Sequence, residues 1–181
     1  MHSAYTKIVK EKFGAALQVI FPEFRVSRLQ RKSSGGSLYR ASAFAGLTLF
    51  ILLIIHDNAD EFNIDIGFSR DGLCPEESFF LNPNNTLGLS SVLFRVSEFR
   101  ADEKDPWWVI EDYLSVDKLK ARFEQTGTAA LPPNEYLPRI DALIADALTT
   151  LQQYAVPYFH MLSDKTKKNH AVNGTAIERG R

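Results

Sequence analysis

The chain has 181 residues, 45% of them hydrophobic and 24% charged, with a formal net charge of −1. That balance describes a globular domain with a core of its own; it excludes a general nucleic-acid coat, and two domains would both have to be small. A single cysteine, Cys74, excludes an intramolecular disulfide and fits a reducing compartment, so a cytoplasmic location is expected.

The first predicted element is an amphipathic helix over Ser3 to Ile20. Tyr5, Ile8, Val9, Phe13, Ala16, Leu17 and Ile20 recur at three- and four-residue spacing and make one apolar stripe. Pro22 ends it, because proline has no N–H for the ladder and restricts its predecessor. The segment lacks the apolar core and small-residue cleavage site of a secretory signal. Phe24 to Arg31 and Leu38 to Ala45 then read as a β-hairpin across Ser33-Ser34-Gly35-Gly36-Ser37, with Phe24, Val26 and Arg28 alternating with polar neighbours.

Leu47 to His56 and Glu61 to Phe68 follow, joined by Asp57-Asn58-Ala59-Asp60 and expected to pair antiparallel. The run Ala41 to Ile55 is apolar, but spans fifteen residues where a membrane helix needs roughly 20. A strand buried on both faces explains Leu47 to Ile55 instead, and no membrane association is expected. In the next strand Phe62, Ile64, Ile66 and Phe68 alternate with Asn63, Asp65 and Gly67, which predicts one buried and one polar face. Ser69 to Leu87 is a long connection. Ser90 to Phe99 is a strand with Val92, Phe94 and Val96 on one side and Leu93 and Arg95 on the other.

Helical signals return at Asp105, a good N-cap, and Pro106, a good first residue, which predict a helix carrying Trp107 and Trp108. On a helix adjacent residues point about 100° apart, so one Trp is expected in the core and the other at an interface. A further helix runs from Ser115 through Gln125 and stops at Gly127. The last begins at Asn134, buries Leu137, Ile140, Leu143, Ile144, Ala147, Leu148, Leu151 and Tyr154, and should kink or break at Pro157. Together these predict an α+β domain over residues 1–162: a mostly antiparallel sheet of about five strands, with an N-terminal helix and C-terminal helices packed on it. Residues 163–181 read as a flexible basic tail.

Charge is sorted along the chain. Residues 57–117 hold fourteen acids and four bases, a net −10, against +6 before and +3 after. Such a segment, gathered on one surface, would steer a basic partner.

Catalytic constellations are weak by comparison. His56, Asp57, Asp60 and Glu61 crowd one strand end and offer a metal or acid–base cluster, but turn chemistry accounts for all four. Asp65 sits where a metal nuclease would place an acid, yet no acid–x–Lys follows on the adjoining strand. Lys32 to Ser37 is not a phosphate loop, and no cofactor is expected. Arg25, Arg28, Arg31, Lys32 and Arg40 form a basic strip that could meet RNA; it lacks a recognised binding motif. Neither Cys74 nor His160 has the neighbours of a nucleophile or base.

The order of elements resembles a family of small bacterial α+β domains of unknown function. The residues that carry the resemblance are the basic strand Phe24 to Lys32, Leu38-Tyr39-Arg40, Phe62-Asn63-Ile64-Asp65-Ile66-Gly67 and the later Trp pair, over about residues 5 to 113. No activity carries over from it. In size and style such domains resemble immunity proteins encoded beside bacterial toxins. The expectation is a non-enzymatic interaction domain that occludes a basic toxin through Asp102, Glu103, Asp105, Trp107, Trp108, Glu111 and Asp112. The alternatives are a metal-dependent hydrolase at Asp65 and His56, or an RNA-binding hairpin.

Overall fold

The computed structural model describes residues 3–27, 36–43, 46–56, 61–75, 89–96, 107–110, 116–127 and 133–165. Its elements run α1 (Ser3–Ile20), β1 (Arg25–Ser27), β2 (Ser37–Ser42), β3 (Thr48–His56), β4 (Glu61–Ser69), β5 (Ser91–Arg95), β6 (Trp108–Val109), α2 (Val116–Thr126) and α3 (Pro133–Thr150). The fold is α+β, as expected. The strands form one antiparallel sheet in the order β1-β2-β3-β4-β5, and β6 also pairs with β4.

Periodicity decides what each element buries. Tyr5, Val9, Phe13 and Leu17 recur every four residues on α1, and all are buried. They meet α3 and one sheet face: Tyr5 lies edge-on to Tyr136 at 4.9 Å, and Phe13 lies 5.9 Å from Tyr39 on β2. Leu49, Ile51, Leu53 and Ile55 of β3, Phe62, Ile64, Ile66 and Phe68 of β4, and Val92, Phe94 and Val96 complete this core. Each large side chain so enclosed contributes roughly 1.5–3 kcal/mol.

The opposite face of β3 is buried too, as a continuous apolar run demands. There Leu38, Phe50, Leu52 and Leu93 form a second apolar cluster. This corrects the reading of β4. Its polar positions Asn63 and Asp65 are polar but not solvent-facing; both are 0% exposed. They lie on the same face of the sheet as the second cluster, which alternation within β4 alone does not reveal. Gly67 is on that face as well. A Cβ there would stand 2.0 Å from the carbonyl oxygen of Val92, so only glycine lets β5 close on β4.

Val26 is 71% exposed, because β1 is a three-residue edge strand whose second position extends beyond the core. Two further expectations are corrected. Trp107 and Trp108 are not on a helix. Trp108 opposes Phe62 in the β4–β6 ladder, where stacking and pairing outweigh the helix-start signal of Asp105-Pro106. Pro157 does not break the last helix: α3 passes into a π-helical turn, Leu151–Ala155, and the chain is helical again over 156–165. The N–H of Val156 reaches back to the carbonyl of Leu151, a spacing one residue longer than in an α-helix. That wider turn sits where a proline ring would strike an α-helical carbonyl. The helix thus runs through residue 163, where the tail was expected to begin; residues 166–181 lie outside the described residues. No described helix is long and apolar enough to cross a membrane.

Candidate functional site

The Trp pair organises the edge of the sheet. Trp108 is 4% exposed, stacks on Phe62 at 5.6 Å with 14° between rings, and donates its indole N–H to Asp146 Oδ2 of α3 at 2.8 Å. The pairing of Phe62 with Trp108 and of Glu61 with Val109 sets the register of β6. Successive side chains on an extended strand point to opposite faces. Trp107 therefore leaves the core that holds Trp108 and comes out on the face turned away from α1 and α3.

There Trp107 is half-buried and flanked on two sides. The Arg95 guanidinium carbon lies 5.1 Å from its ring centroid, a cation–π distance. His56, at the end of β3, meets it edge-on at 5.9 Å and 76°. Arg95 is itself the direct cross-strand partner of Asp65, and an opposite-charge pair across a ladder is stabilising. Three consecutive strands thus place His56, Asp65 and Arg95 on one face of the sheet, with Asp65 and Arg95 directly paired and Trp107 in contact with Arg95 and His56. Asn63 is on this face as well; its Oδ1 accepts the Ile64 N–H at 2.6 Å. Sequence reasoning named Asp65, His56 and both Trp residues, but not this assembly. The signal was the shared parity of Asp65 and Arg95 once β4 and β5 are paired.

Of the predicted partner-binding residues, Trp107 lies on this outer face and Trp108 lies in the core. Asp102, Glu103, Asp105, Glu111 and Asp112 lie outside the described residues, as do Asp57 and Asp60 of the His56 cluster. Among the described residues the acids of the −10 segment are Glu61, Asp65, Asp71 and Asp117. Glu61 opens β4 and Asp71 lies just past its other end, Asp65 is enclosed, and Asp117 is on α2, so these four do not form one patch. Asp71 is exposed, and its carboxyl is held below its ordinary range, first by the Leu73 backbone N–H 3.0 Å from Oδ1.

The metal alternative finds no ligand set here: among the described residues no three His, Cys, Asp or Glu side chains are placed to hold an ion. Of the basic strip, Arg28, Arg31 and Lys32 lie outside the described residues. Arg25 and Arg40 are directly opposed and exposed. Arg25 is engaged locally, donating to the carbonyl of Pro22 and, at 3.2 Å, to Gln18 Oε1. No family model, curated protein or solved structure matches the chain.

Proposed function

We propose that this chain is a non-catalytic protein-interaction domain of the immunity type, which binds a basic toxin in the bacterial cytoplasm and blocks it by occlusion. The observation that carries this reading is the position of Trp107. Its partner in sequence, Trp108, is locked to Phe62 and Asp146, so Trp107 is presented on the outer face with its ring held by Arg95 and His56. A large, half-desolvated, rotationally fixed aromatic is the kind of side chain that anchors protein interfaces, since little entropy remains to be lost on binding. Asp102, Glu103, Asp105, Glu111 and Asp112 all lie within five residues of one or other Trp in sequence. They supply a local negative charge suited to drawing a basic partner toward that anchor.

The test is capture of partners from the native host with the full chain and with Trp107→Ala. The wild-type chain should retain a basic protein that Trp107→Ala retains poorly while folding normally. Equal retention by both would count against the reading.

A further inference from the structure

A cleft of about 550 Å³ opens where the end of α1 meets the helical turns around the π-turn, on the side of the sheet that carries the main core. Phe21, Leu49 and Phe159 form its floor; Leu49 and Phe159, at 8% and 7%, are the most accessible side chains of that core. Glu23, Gln152 and His160 stand exposed at its rim. We propose that this cleft binds a small organic ammonium, an amine whose apolar body covers the phenyl floor while its charge meets Glu23.

The backbone supplies one acceptor. The carbonyl of Gln152 has no donor within the helix. At α-helical spacing that donor would be Val156, but the Val156 N–H goes to Leu151. At π-helical spacing it would be Pro157, which has no N–H. The open carbonyl lies between Gln152 and Val156 on the helix surface, and both residues line the cleft. A main-chain carbonyl needs a proton donor, and an ammonium group carries three.

Charge selects the same guest. Glu23 is the one carboxylate among the lining residues, and none of them is Lys or Arg. Glu23 has no ion pair among the described residues. Arg25, two residues on, is turned instead to the Pro22 carbonyl and Gln18 Oε1. A carboxylate and an open carbonyl together complement a cation and repel an anion. The floor suits an apolar cation as well. Phe21 and Phe159 both lean on Phe24, with centroids 6.0 and 5.8 Å away, which holds their rings in place. Such rings attract a cation as well as apolar carbon, and the volume lies within the range of small-molecule sites.

The test is titration of the full chain with phenethylammonium chloride, followed by amide NMR. Phenethyl alcohol and phenylpropionate run beside it, carrying the same ring with no charge or the opposite one. The ammonium should bind with a Kd of about 1 mM or below, and the shifts should centre on Glu23, Gln152, Val156 and His160. The alcohol and the carboxylate should each bind about tenfold more weakly. Glu23→Gln should weaken the ammonium about fivefold and leave the alcohol unchanged. Pro157→Ala returns an N–H to the turn and should weaken the ammonium about threefold. No saturable shift up to about 10 mM, equal binding by the alcohol, or an ammonium affinity that either substitution leaves unmoved would each overturn the proposal.

Discussion

Replacing Gly67 by alanine should be among the most damaging single-methyl additions in this protein. The residue lies mid-strand in β4, opposite Phe50 on one side and Leu93 on the other. Its new Cβ would stand 2.0 Å from Val92 O and 2.9 Å from Leu93 Cα, where ordinary contact begins at 3.4 Å. The overlap of about 1.4 Å falls on backbone, which cannot swing aside as a side-chain tip can. Overpacking alone costs about 1–3 kcal/mol. Pushing β5 outward weakens about two ladder hydrogen bonds, at about 1 kcal/mol each. The stiffer unfolded chain returns about 0.5–1 kcal/mol. The net loss is about 3 kcal/mol, which at a slope of about 2 kcal/mol/M lowers the urea midpoint by about 1.5 M. Urea titration followed by circular dichroism measures it. Gly127→Ala is the control: Gly127 has φ of 71° at the end of α2 and nothing within 4 Å, so only backbone strain of about 1 kcal/mol applies. A Gly67→Ala midpoint as high as that of Gly127→Ala would refute the steric account.

The adjacent tryptophans should separate stability from binding. Trp108→Ala should cost about 3–5 kcal/mol, because it empties the stack on Phe62 and removes the donor to Asp146; thermal melting would detect it. Trp107→Ala should cost about 1 kcal/mol, the scale of a lost cation–π contact, and melting points that fall equally would contradict the strand geometry. Converting Asp102, Glu103 and Asp105 together to their amides should slow association with the captured partner about tenfold at low salt and flatten its salt dependence; stopped-flow mixing would show whether the on-rate moves. Asp71, held below its ordinary value of 3.8, contributes stabilisation that is fully present above that value and fades as pH falls through the lower folded one. Its carboxyl carbon should therefore titrate below 3.8 by NMR, and Leu73→Pro, which removes the N–H donor, should return it toward that value.

The elements with sustained periodicity were legible. The four-residue repeat of α1, the doubly apolar run of β3 and the parity of Val92, Phe94 and Val96 each specify a face, and the fold uses those faces. What escaped was set by contacts distant in sequence. β6 has two residues, too few to display a period, and an Asp-Pro pair is a turn signal in general as well as a helix-start signal. Asn63 and Asp65 read as solvent-facing because their own strand alternates; their burial comes with a row of apolar neighbours on β2, β3 and β5. The α-helical rule predicts a kink or break at Pro157, and the π-turn before it changes the hydrogen-bond spacing that rule assumes. The site shows the same division: each of its residue types could be picked out singly, while their assembly required the β3, β4 and β5 registers.

Two indoles joined by one peptide bond but facing opposite sides of a sheet also make an intrinsic optical probe. Single-tryptophan variants would emit from different surroundings. The enclosed ring reports on solvent entry into the interior, and the outer ring, beside an imidazole and a guanidinium, responds to whatever approaches it. Loss of the interior and arrival of a ligand can thus be timed in separate channels without attaching a dye.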